Sequence, residues 1–287
     1  MNNRGKNLSK LELLKNRLIY LSTKINDVDL SKEKLRTEIN DSWKVIYNYL
    51  GKNLDNVLND DDFLKDHWIM YFSGYKRNEA NVFSKFLLNK HFTARNIIQG
   101  TLTGQEIKNY VNDLQISIEN YFFINNPTYN LEGKKDYSQS IVYLEKLNRV
   151  GYSSFTPLII SLLNKKISDD ELVEILKSIE RFIFVIFKIS KFFSTFNNSK
   201  FYTLANQFKH GKISSKDINE NIDDVTKTYV NVNSFKEWIL PKFKTGKGYY
   251  DWYSSLRYFL FEYELFLKNK KGINENKLIW NNFAESK

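Results

Sequence analysis

Three groups of residues in this 287-residue sequence are of types that do chemistry: the loop Asn2–Lys6, the carboxylates Asp60–Asp62, and the histidines His67, His91 and His210. In the loop, Asn2, Arg4, Gly5 and Lys6 stand just before the start of a helix. An arginine, a lysine, the open backbone of a glycine and the free amides of a helix terminus together suit a phosphate group. Three clustered carboxylates offer the oxygens that a hard divalent cation takes. Consecutive residues diverge around a helix start, however, and neither the glycine nor the distal glutamate of a calcium loop follows. The preferred reading of Asp60, Asp61 and Asp62 is therefore that they cap a helix and complement its dipole. None of the three histidines has a second histidine or a cysteine at ligand spacing, which argues against zinc. His67 sits beside Trp68 and reads as a packing residue, while His91 and His210 lie where an imidazole satisfies helix-terminal carbonyls.

Other chemistries lack their residues. The chain has no cysteine, so thiolate catalysis and disulfides are excluded. Gly246-x-Gly248 has neither a third glycine nor a preceding strand, and no G-x-S-x-G occurs. No cofactor is expected in this chain itself.

The elements that hold these residues read as helices. Only 3 Pro and 11 Gly interrupt a chain that is 42% hydrophobic, which favours long helices over many short strands. Ser9-x-x-Glu12 is a capping box, followed by an apolar stripe of Leu11, Leu14, Leu18 and Tyr20. Lys32–Leu50 forms a second helix and Phe63–Phe72 a third, with Glu79–Phe92 next. Thr103-x-x-Glu106 opens a helix to Phe123, and Thr156 with Pro157 starts another. Ser168-x-x-Glu171 opens what reads as the longest helix, running to about Phe196. Its stretch Leu176–Phe193 is apolar on most sides and is expected at the core of the second half; a buried strand at Phe182–Phe187 is the alternative. Ser234-x-x-Glu237 is a further capping box, and two helices near Tyr249–Lys268 and Glu275–Phe283 end the chain. The expected fold class is all-α, a multi-helix bundle of about ten to twelve helices without a substantial sheet. The loop at 125–137 separates a first region, 1–124, from a second, 138–287.

The first stretch carries a resemblance. Asn2, Arg4, Gly5, Leu8, Ser9, Glu12, Leu13, Lys15 and Asn16 fit the pattern N-x-[RG]-G-x-x-L-[ST]-x-x-E-L-[IL]-[KR]-N. That pattern resembles the last motif of the ParB/sulfiredoxin-like N-terminal domain of GmrSD-type restriction endonucleases. Weaker likeness follows at Asn59–Lys65 with His67-Trp68-Ile69, and at Leu256–Glu264. The resemblance implies a parent system that restricts foreign, modified DNA with a nucleoside triphosphate and a divalent metal. It makes Asn2, Arg4, Gly5 and Lys6 part of a nucleotide pocket. The family's D-G-Q-Q-R motif and its E-H-I-x-P-Q nuclease motif do not occur here. The expectation is thus a helical middle region, cut at both ends, inactive alone, that connects a nucleotide-binding domain to an HNH nuclease domain. DNA and a full-length relative are the implied partners.

Net charge of +10 and a pI near 9.3 permit contact with a polyanion, although the lysines alternate with Asp and Glu as on solvated helix faces. An independent basic helical module, binding nucleic acid or docking on protein, is the alternative. No signal core and no membrane-length apolar run is present, so a cytoplasmic protein without membrane contact is expected.

Overall fold

A computed structural model describes residues 8–25, 31–52, 57–72, 82–129, 135–190, 194–244, 252–272 and 278–285. Every regular element among them is helical, and no strand occurs among them. In chain order the helices are α1 (Lys10–Ser22), α2 (Lys32–Gly51), α3 (Asp60–Tyr71), α4 (Val82–Lys85), α5 (Ala94–Ile98), α6 (Gly104–Asn125) and α7 (Ser138–Val150). There follow α8 (Thr156–Asn164), α9 (Asp169–Phe182), α10 (Asn198–Lys209), α11 (Ser215–Tyr229), α12 (Val232–Lys244), α13 (Tyr253–Lys270) and α14 (Trp280–Glu285). Two π-helical segments, Phe86–His91 and Ile183–Ile189, continue α4 and α9.

The boxes Ser9/Glu12, Thr103/Glu106 and Ser168/Glu171 all form, with both reciprocal hydrogen bonds in place. Each satisfies amides that the first helical turn leaves free. Four expectations are corrected. The stripe on α1 ends on Leu21, buried with Leu11, Leu14 and Leu18, whereas Tyr20 is half exposed. The helix after Ser168 stops at Ile189, not near Phe196, where the Ser190 backbone turns extended. The longest helix among the described residues is instead α6. Helix α12 starts three residues earlier than Ser234 suggests. Asn231 is its cap and accepts from Asn233 and Ser234 amides, while the Ser234 hydroxyl accepts from the Asn231 amide.

The chain divides into two compact units. The first takes Met1–Tyr129 together with Thr156–Lys166 and Ser199–Lys212; the second takes the segments between and after them. In the first unit, α6 packs on α2 and α8, and α1 and α3 complete the core. Helix α8 is buried from Thr156 to Leu163, which makes it the helix apolar all round that belongs inside a bundle. The polar atoms that it brings inward are paired: Asn164 donates to the Ser117 hydroxyl at 2.9 Å and accepts from Asn120 at 2.7 Å. In the second unit α9 lies between α7 and α11, and buries Leu172, Ile175, Leu176, Ile179 and Phe182. Beyond Phe182 only Ile183, Ile186 and Ile189 are buried, so less of that stretch is core than its composition suggests.

Candidate functional site

Of the loop residues, Asn2, Arg4, Gly5 and Lys6 lie outside the described residues. The aspartate run is described, and its three carboxylates part company. Asn59 is the cap of α3 and accepts from the Asp62 amide at 2.9 Å, Asp60 accepts from the Asp61 amide, and Asp62 is exposed. Asp61 reaches a different helix. Its Oδ1 accepts from the amides of Lys10 at 2.6 Å and Leu11 at 3.4 Å, the free donors at the start of α1. The same device recurs in the second unit. Asp169, in the first turn of α9, accepts from the amides of Gln139 and Ser140 at 2.9 and 3.0 Å, where α7 has no side-chain cap of its own. Among the described residues no group of three or more His, Asp or Glu is disposed to hold a metal ion.

A cluster of titratable side chains in the first unit is centred on His67. Its Nε2 lies 2.9 Å from Asp113 Oδ1, and Asp113 Oδ2 accepts from the Lys209 ammonium. The three residues come from α3, α6 and α10, so one carboxylate joins three helices. Tyr71 stacks on the imidazole at 5.4 Å and Tyr110 meets it edge-on at 5.2 Å. His67 is fully buried, and its Nδ1 has no hydrogen-bond partner. A neutral ring with the proton on Nε2 fits this geometry: Nε2–H donates to Asp113, and Nδ1, without a partner, carries no proton. Protonating Nδ1 would bury a donor without an acceptor. Burial lowers the His67 pKa, against the hydrogen bond and charge of Asp113, which raise it. Burial of Asp113 raises its own pKa, but the hydrogen bonds from His67 and Lys209 and the Lys209 charge outweigh it and hold the carboxyl below the usual range. The other histidines flank this cluster. His91 stacks on Phe86 and meets Phe72 and Phe92 edge-on, and His210 Nε2 lies 2.9 Å from the Tyr71 carbonyl at the end of α3.

A histidine oriented by an aspartate is half of a general-base arrangement. Here, among the described residues, no hydroxyl hydrogen-bonds to Nδ1, and the ring is fully buried. What the group can do is fix a proton on one nitrogen and lock three helices. Sequence spacing hid this partnership, because Asp113 and Lys209 lie 46 and 142 residues beyond His67. The local signal was only that His67 falls among aromatic residues.

No family model, curated protein or solved structure matches the chain.

Proposed function

We propose that the chain is a non-catalytic helical part of a GmrSD-like, nucleoside-triphosphate-dependent restriction system acting on foreign, modified DNA. It stands between the nucleotide-binding and nuclease domains and passes the state of one to the other. The observation that carries this reading is the join made by Asp61. Two of the segments that bear the resemblance, around Ser9–Asn16 and around Asn59–Ile69, meet where the Asp61 carboxylate takes the first amides of α1. The S-x-x-E box of the first segment is formed. His67, from the second segment, is sealed among rings and ties helices together, as a structural part of such a domain would. The nucleotide and the divalent metal belong to the partner domains in this reading. The test adds the tagged chain to separately expressed nucleotide-binding and nuclease domains of a GmrSD-type protein. Capture of both is expected, and capture of neither overturns the reading.

One observation favours a second reading, a basic module that binds nucleic acid. The basic excess is uneven: the first unit holds 23 Lys and Arg against 15 Asp and Glu, and the second 20 against 18. A DNA-binding titration against salt separates the two. Tight binding with a steep salt slope supports the module, and negligible binding near 0.15 M salt, about the physiological value, supports the coupling role.

A further inference from the structure

Helix α13 buries Tyr258 and Phe261 but leaves Phe259, Tyr263 and Phe266 exposed, at 44, 47 and 58%. Positions i, i+4 and i+7 form one row along a helix face. The rings of that row are close to parallel. Phe259 and Tyr263 differ by 7° with centroids 6.1 Å apart, and Tyr263 and Phe266 by 23° at 6.4 Å. Phe259 is in turn near-parallel to Phe184, at 6.3 Å and 14°, and to the buried Trp252, at 6.4 Å and 25°. An exposed apolar row of this kind marks a surface that meets a partner. Flat faces in succession, in place of aliphatic knobs, suit a partner that is itself a succession of flat rings.

The cations beside the row say which such partner fits. Lys270 continues the row one turn beyond Phe266 and is exposed, as is Lys271 after it. Lys188 stands on the π-helical segment that meets the Phe259 end, four residues after Phe184. It is half-buried, and burial alone holds its ammonium below the usual lysine range. None of these three lysines forms an ion pair among the described residues. A partly desolvated ammonium without a counter-charge gains from a phosphate. Glu264 is the one carboxylate of α13 outside the ion pairs; it sits about 100° round the helix from Tyr263, and Lys268 one turn on offsets it. We propose that Phe259, Tyr263 and Phe266 are a stacking platform for a single strand of DNA, with phosphates on Lys188 and Lys270. A duplex keeps its base faces inside, so only a single strand offers them. The platform is independent of the coupling role. Only the choice of DNA over RNA rests on the restriction reading, because the rings meet bases that both carry.

The test follows fluorescence anisotropy with the full chain in about 0.05 M salt. The probes are a thymidylate strand of about ten nucleotides, an abasic strand of the same length and charge, the matching duplex, and a uridylate RNA. The thymidylate strand is expected to bind one-to-one at roughly 50 μM, and the abasic strand about tenfold more weakly, since stacking supplies the difference. With few phosphate contacts the affinity stays weak near 0.15 M salt, unlike that of a basic module. Tyr263→Ala and Phe266→Ala change exposed side chains, so the fold should survive, which circular dichroism checks. Each is expected to weaken the strand about fivefold or more and to leave any duplex binding unchanged. Lys270→Gln should reduce the slope of log affinity against log salt by about 0.7, the share of one phosphate in a single strand. The proposal is overturned if the thymidylate strand does not saturate the protein, if the abasic strand binds as well, or if both folded ring variants bind as the parent does. It is overturned too if the parent self-associates and Tyr263→Ala abolishes that, which would mark the row as an interface between copies. Binding of the RNA alone overturns it and also counts against the restriction reading, whereas loss of stacking leaves that reading standing.

Discussion

At the scale of single residues, Asp113 sets the character of the first unit's interior. It is the one acceptor that His67 Nε2 and the Lys209 ammonium share, and 17% of its side chain meets solvent. Asp113→Ala should leave a buried imidazole N–H and an ammonium without a counter-charge. Breaking a largely buried pair of this kind costs about 3 kcal/mol, and the urea midpoint should fall accordingly. Asp66 carries the opposite lesson. Burial, with Asp62 one turn earlier, pushes its carboxyl up to about 8, against the pull of Lys65. The native state then holds a proton that the unfolded chain releases above about pH 4. Between that pH and about 8 the unfolded state binds fewer protons, so this group's contribution to stability falls as pH rises. Asp66→Asn should therefore stabilise the protein at pH 8, by something on the order of 1 kcal/mol given that one edge of the residue meets solvent. The gain should vanish at pH 3. Denaturation midpoints of the two proteins across this range decide it, and a gain of equal size at both ends would contradict it.

At the scale of elements, the helices that were legible in the sequence were those whose signals are local. Ser9/Glu12, Thr103/Glu106 and Ser168/Glu171 lie three residues apart, and each pair closes within one turn. What escaped was every join made across the chain. Asp61 read as a cap for its own helix and proved to cap α1; Asp169 does the same for α7. A carboxylate in a first turn points outward from its helix start, and which neighbour's amides it meets depends on packing that spacing does not encode. The same holds for α12, where an Asx cap at Asn231 wins over Ser234 because it serves two amides at once. Asp61→Ala should leave the Lys10 and Leu11 amides of α1 without their acceptor, although Ser9 still caps the helix, and cost about 1 kcal/mol. Asp62→Ala, at an exposed position, should stay within about 0.5 kcal/mol. Equal losses from the two would mean that the run acts as one charge cluster and not as a cap.

At the scale of the molecule, the chain does not build its first unit from one continuous stretch. Residues 1–129 supply α1 to α6, but the helix buried on all sides, α8, arrives from Thr156–Asn164. Helix α10 arrives later still, with Phe201, Leu204, Ala205 and Phe208 buried, Asn206 donating to the Met70 carbonyl at 2.9 Å, and Lys209 on Asp113. Composition pointed to Leu176–Phe193 as the core of the second half, where α9 does lie between α7 and α11, but hydrophobicity alone did not say that α8 joins the first unit. A fragment of residues 1–129 would therefore expose the faces of α3 and α6 that α8 covers and leave Asp113 without its lysine. Lost apolar burial on that scale, at about 25 cal/mol per Å², exceeds the margin of an ordinary domain once several large side chains are uncovered. The fragment should show no cooperative urea transition and should bind a hydrophobic dye. Adding residues 130–212 should restore the transition to this unit, because it brings both α8 and α10 back. A fragment 1–129 that melts cooperatively would show that α1 to α6 form a core without them.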